Sequence, residues 1–212
     1  IFSLNSFAQE NKYEPVANKA EYYAVKYLPG KNYMDFRNWV MENQEKVLNK
    51  TDVYDNFDIA LFQPQFGTDL TQFDAVFLGL WPNATEMFAG MEYWAKNGGE
   101  QNAKVPVKTV QAVDTWQWAV SAPEGDPDIG VVRFSDCKMK DGVNANQVFD
   151  ALKDFAIAAK ETGDNLGRKM IFPGSGGTEG DYDYVYSLYA RSISELGAVS
   201  YTHLTLPTIF RV

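Results

Sequence analysis

Two stretches of this chain echo one another at a fixed distance, and that constrains the fold more than any single motif. Phe73-Asp74-Ala75-Val76-Phe77-Leu78 returns 109 positions later as Tyr182-Asp183-Tyr184-Val185-Tyr186-Ser187. At the same offset Asn83-Ala84-Thr85-Glu86 meets Ser192-Ile193-Ser194-Glu195. Both have the form of a capping box, in which a polar N-cap accepts a backbone N–H and Glu three residues on reaches back. Upstream, Gly30-Lys31-Asn32-Tyr33-Met34-Asp35 matches Gly142-Val143-Asn144-Ala145-Asn146-Gln147 at an offset of 112, with Asn32 and Asn144 as N-caps.

The segments between these markers carry readable periods. After Asn144, Val148, Phe149, Leu152, Phe155, Ala156 and Ala159 form the apolar stripe of an amphipathic helix. Phe36, Val40, Val47 and Leu48 do the same after Asn32. Strands are expected at 22–28 and 131–139 before these helices, and at 57–63 and 168–172 after them. Each repeat then reads β-α-β-β-α, which is α+β architecture with mostly antiparallel sheet. The first repeat spans 18–98 and the second 129–198, with the second stopping as its last helix starts near Ala198. A connecting segment, 99–128, contains β-like alternation at 107–120 and a turn-rich stretch at 122–127.

This tandem order resembles the dimeric α/β-barrel superfamily, whose units are ferredoxin-like. The resemblance covers residues 20 to 198 and rests on element order and length, not on a signature motif. It implies two sheets closing face to face in one chain. The superfamily includes small monooxygenases, haem-handling enzymes, dehalogenases, decarboxylases of aromatic compounds and stress proteins, so fold alone does not select a function.

Both ends differ from the rest. Residues 1–8 read as the remnant of a secretory signal, ending Ser6-Phe7-Ala8 before a polar run, which implies a periplasmic or secreted protein. Residues 199–212 resemble a translated sequencing-adapter tail on a truncated metagenomic reading frame. They hold no acidic residue and include the single histidine, His203.

Charge and rare residues exclude several chemistries. Lys+Arg number 19 and Asp+Glu 28, a net charge of −9 that repels phosphate backbones, so nucleic acid is not an expected partner. No apolar run reaches the roughly 20 residues of a membrane span. One cysteine excludes an internal disulfide and a Cys-rich zinc site. Gly174-Ser175-Gly176-Gly177 is followed by Thr178-Glu179, lacks the P-loop lysine and reads as a hairpin loop. No metal and no cofactor is called for, and the oligomeric state is open.

Alternation along the strands assigns faces. Val25, Tyr27, Cys137 and Met139 are expected to face helices, with Val76, Leu78 and Val185. The opposite, barrel-interior face then carries Lys26, Phe77, Asp136, Lys138, Tyr182, Tyr184 and Tyr186. Such a set suits a small aromatic or anionic ligand, although an aromatic stripe is more often core. Three functions fit: an exported binding or structural protein, a cofactor-independent enzyme of monooxygenase or decarboxylase type, or porphyrin binding by stacking with lysines on the propionates. Asp74 and Asp183 are strand-entry turn residues or general bases. Trp116 and Trp118 are a lid or outside packing.

Overall fold

The computed structural model describes residues 11–67, 69–125, 130–177 and 180–205, with side chains as far as Val199. The residues read as a leader, 1–8, lie outside this set, as do 126–129, which include the end of the turn-rich stretch, and the side chain of His203. The chain divides into two compact units. One is Ala17–Gln117 with Phe172–Gly180; the other is Trp118–Ile171 with the residues from Asp181 onward and those before Ala17.

The first unit opens with strand β1 (Ala17–Tyr27) and helix α1 (Tyr33–Lys46). The Asn32 side chain accepts from the backbone N–H of Met34 and Asp35, and the Asp35 carboxylate accepts from the Asn32 N–H, completing the capping box. Strands β2 (Asp58–Phe62) and β3 (Ala75–Trp81) follow, then helix α2 (Ala84–Asn97), the single turn α3 (Gly99–Asn102) and strand β4 (Val107–Ser121). The segment read as a connector therefore holds the longest strand. Within this unit the strand order is β2-β3-β1-β4, with β1–β3 and β2–β3 antiparallel. The core joins Val25, Phe36, Val40, Ala75 and Val107, with Tyr23, Trp39, Ile59 and Phe77 packed against it.

The second unit carries β5 (Val131–Cys137), α4 (Ala145–Glu161), β6 (Gly167–Pro173), β7 (Tyr184–Ala190) and α5 (Ile193–Thr205). Asn144 and Gln147 form the second complete capping box. Here β7 pairs antiparallel with both β5 and β6. Helix α5 continues beyond Ala198, and Val199 is buried against Leu166 and Ala190. The stretch read as extraneous thus begins inside a helix.

Two aspartates do the same local work in the two units. Asp74 accepts from the N–H of Tyr27 at 2.8 Å while its own N–H bonds the Val25 carbonyl. Asp183 accepts from the N–H of Met139 at 2.6 Å while its N–H bonds the Cys137 carbonyl. Each fastens the end of a first strand to the start of a third, the turn role read from sequence. The glycine-rich segment is a tight backbone contact. Gly174 N–H donates to the Asp114 carbonyl at 2.8 Å, Ser175 N–H to the Asp114 carboxylate at 2.6 Å, and Gly176 takes φ 76°. A Cβ at Gly176 would lie 2.2 Å from the Ala112 carbonyl oxygen, so only glycine fits.

The second unit also buries an ion pair. Arg168 and Asp164 are each 2% exposed at the side chain and bonded to one another, and Arg168 also donates to the Leu166 carbonyl at 2.9 Å. Removing one partner strands a charge away from water, whereas removing a helix cap loses one exposed bond. Asp164→Ala is expected to cost about 3–5 kcal/mol and Asn144→Ala about 1 kcal/mol, read as shifts in the urea midpoint.

Candidate functional site

The residues proposed from sequence do not share one face. β1–β3 pairing sets Tyr23 opposite Phe77 and Val25 opposite Ala75. Phe77 therefore points to the helices beside Tyr23, with ring centroids 6.0 Å apart, not into a sheet interior. Val76 and Leu78 take the other face, reversing the sequence assignment, and Lys26 is exposed there. In the second unit Cys137 stands opposite Tyr184 and Ser135 opposite Tyr186. Leu188 and Ala190 on that same face pack toward α5 at Leu196 and Val199. So Tyr184 and Tyr186 are helix-facing, with Tyr184 buried, and Val185 lies on the opposite face with Asp136. Asp136 is exposed, Lys138 is an exposed partner of Asp181, and Tyr182 precedes β7. Cys137 is helix-facing as expected, but half-buried. Trp116 is 41% exposed and stacked under Lys19, while Trp118 meets Phe149 edge-on at 5.8 Å.

A different site is built inside the first unit. A cavity of about 350 Å³ lies between the helix-facing side of β1–β3 and helices α1 and α2. Seven aromatic side chains line it, Tyr23, Phe36, Trp39, Tyr54, Phe57, Phe77 and Trp94, beside aliphatic ones such as Val25, Val40 and Leu48. The rings brace each other, Trp39 against Trp94 at 6.3 Å and Phe36 at 6.2 Å. Glycines make the packing feasible. A Cβ at Gly79 would lie 2.7 Å from the Phe57 ring and 2.9 Å from a Glu21 oxygen, so both side chains rest directly on the β3 backbone. Gly90 of α2 admits the Trp81 indole, which would be 2.0 Å from a Cβ there, and the Gly90 carbonyl accepts from Tyr54 at 2.6 Å.

The lining also holds Asn102 and Thr109, but two other polar groups stand out in it. Glu21 of β1 accepts from the Tyr23 hydroxyl at 2.9 Å and the Trp81 indole N–H at 3.2 Å. Burial pushes its carboxyl above the ordinary value of 4.5; the two hydrogen bonds hold it back, and the charge of Asp114 adds to the rise. Burial and the neighbouring Glu21 charge likewise raise the Tyr23 phenol, and Tyr54 is pushed up to about 12, chiefly by burial. Asn43 of α1, only 4% exposed, is the second group; its buried amide oxygen has no hydrogen-bond partner.

Neither was proposed from sequence, yet both break a pattern. Glu21 continues the helix-facing parity of Tyr23, Val25 and Tyr27, where an apolar residue is expected. Asn43 falls on the apolar stripe of α1 between Val40 and Val47. Polar residues at core positions are the signal of a site. Lys19, two positions before Glu21 and 3% exposed, is already engaged by Asp114 at 2.9 Å.

No known family profile matches the sequence, and no curated protein matches it. Solved structures do. A chlorite dismutase-like protein superposes with TM-score 0.52 at 11% identity, over 90% of this chain and 86% of its own. An arginine variant of the chlorite dismutase from Candidatus Nitrospira defluvii gives 0.51 at 8%, over 91% and 84%. A tryptophan variant of the same enzyme gives 0.50 at 9% over the same shares. The fold is chlorite dismutase-like. At these identities the likeness is one of α+β fold, and the antiparallel ferredoxin-like pairing in each unit agrees with it.

The Glu21 carboxyl gives a sign for pH dependence. Below about pH 4.5 it is protonated in both the folded and unfolded chain, and its contribution is fully present. As pH rises through the higher folded value, the unfolded chain ionises first and that stability is lost. Glu21→Gln removes the titration; its single amide oxygen can accept from the Trp81 indole while its NH2 donates to the Tyr23 oxygen. Its melting temperature is expected to match wild type near pH 4 and to exceed it increasingly toward pH 8, by differential scanning fluorimetry.

Proposed function

We propose that the chain binds a small, flat organic molecule in the cavity of its first unit, with Glu21 and Asn43 as polar contacts. The observation that carries this reading is a carboxyl, enclosed by aromatic side chains and without an ion-pair partner among the described residues, facing about 350 Å³ of space. Cavities of this size with few convergent polar groups are the usual form of small-molecule sites. The lining includes an acid and no lysine or arginine, which favours a neutral or basic ligand over the anionic one considered from sequence.

An enzymatic reading has one observation of its own. A carboxyl raised toward neutrality within an apolar site can act as a general acid or base without a cofactor. Haem chemistry occurs in the superfamily that the sequence resembles, but the lining does not fit it. The walls offer neither imidazole nor thiolate to iron, and no cation to the propionates.

The paired roles of Asp74 and Asp183 support two fused copies of one ferredoxin-like unit. Export rests on the sequence of residues 1–8, and N-terminal sequencing of the mature protein tests it.

Binding is measured by tryptophan emission, since Trp39 and Trp94 line the cavity. A library of small aromatic compounds is expected to yield ligands at millimolar affinity or better. Gly79→Ala is expected to weaken them at least tenfold while remaining folded by circular dichroism, because the added Cβ drives Phe57 and Glu21 off the sheet into the cavity. Equal affinity in Gly79→Ala would place the binding elsewhere.

A further inference from the structure

Hydrogen-bond accounting at the cavity narrows its ligand. The aromatic walls hold four conventional donors, the hydroxyls of Tyr23 and Tyr54 and the indole N–H groups of Trp39 and Trp94. Each already donates within the protein: Tyr23 to Glu21 at 2.9 Å, Tyr54 to the Gly90 carbonyl at 2.6 Å, Trp39 to the Gln101 carbonyl at 3.0 Å, and Trp94 to Asn102 at 3.2 Å. The Thr109 hydroxyl and the amides of Asn43 and Asn102 also belong to the lining, but the buried side-chain atom left without a partner there, among the described residues, is an acceptor. The Asn43 amide oxygen is buried and unpartnered, and the Glu21 carboxylate has lone pairs beyond the two bonds it accepts. A buried acceptor left unmet costs about 1–3 kcal/mol, so a ligand that donates recovers stabilisation that an accepting ligand does not.

Charge points the same way. Glu21 is the one ionisable carboxyl among the described residues lining the cavity, and no lysine or arginine lines it. The nearby buried cation, Lys19, is neutralised by Asp114 and lies 4.7 Å from the centre of the Trp116 ring. The walls themselves present ring faces and edges, and aromatic faces attract cations within about 6 Å of the ring centroid.

Resting on the binding reading above, we propose that the ligand is an aromatic amine: its ring lies among Trp39, Phe77 and Trp94, and its protonated nitrogen donates to Glu21 and to the Asn43 amide oxygen. An anionic ligand would meet the Glu21 charge with no cation to offset it, and a ligand that only accepts would leave Asn43 unmet.

Three probes sharing a phenyl ring separate the possibilities: 2-phenylethylamine as cation and donor, acetophenone as neutral acceptor, and phenylacetate as anion. They are titrated into the full chain at pH 7 by calorimetry and tryptophan emission. The amine is expected to bind at least tenfold tighter than acetophenone, with phenylacetate weakest. Glu21→Gln should bring the amine down to the level of acetophenone, and Asn43→Leu should weaken it several-fold. Acetophenone or phenylacetate binding as tightly as the amine, or an amine preference that survives Glu21→Gln, would overturn the proposal while leaving a small-molecule pocket standing. Failure of all three probes to bind would overturn the pocket and the proposal together. Should Glu21→Gln fail to fold, the wild-type ranking and the Asn43→Leu result decide.

Discussion

The antiparallel register between β1 and β3 governs the first unit. Lys19 to Val25 stand opposite Trp81 to Ala75, one for one. Because side chains alternate, a slip of one residue would move every apolar group of β1 to the other face. In the observed register Tyr23, Val25, Phe77 and Ala75 meet Phe36 and Val40 of α1, which gives the strand an apolar reason to stay in place. Glu21 is then carried to the same face, opposite Gly79, where the absence of a side chain lets the carboxyl and the Phe57 ring lie on the backbone. The cavity is a consequence of this register, with Ala75 and Gly79 leaving room beside the Tyr23 and Phe77 rings of the sheet and Phe36, Trp39 and Trp94 standing over them from the helices.

Much of the fold was legible because its signals are local. Asn32, Asn83 and Asn144 each accept a backbone N–H at a helix start, as their position before Asp35, Glu86 and Gln147 implied. The stripe of α4 buries Phe149, Ala156 and Ala159. Asp74 and Asp183 fasten strand ends in the way a turn residue would. These features depend on neighbours within a few positions, so composition and spacing suffice to see them.

The faces of the third strands were not legible for a physical reason. Alternation divides one strand into two sets, but it does not say which set faces the helices; that is decided by the partner strand. Val76 and Val185 are apolar and β-branched, and Tyr184 and Tyr186 are polar at the tip, so hydropathy favoured the valines as core. Pairing opposite Val25 and Cys137 put Ala75 and Tyr184 on the helix side instead. A tyrosine can be buried at such a site, as Tyr184 is, because its ring supplies apolar area even where its hydroxyl needs a partner. The real site was visible only as an anomaly, Glu21 at an apolar parity and Asn43 on an apolar stripe. One anomalous residue is weak on its own; two become informative when the fold brings them to one cavity.

Two buried cations and one partly buried carboxyl show what sets that cavity apart. Arg168 has Asp164, and Lys19 has Asp114; in each case an opposite charge offsets part of the cost of leaving water. Glu21 has only neutral donors, a phenol and an indole. An uncompensated carboxyl beside seven aromatic rings is an arrangement that folding alone does not favour, since a glutamine or leucine would sit there at lower cost. The paired charges can be understood as structure. Glu21 is best understood as a charge whose partner comes from outside the chain, which is why its environment, more than any resemblance of fold, directs attention to the first unit as the place where this protein meets another molecule.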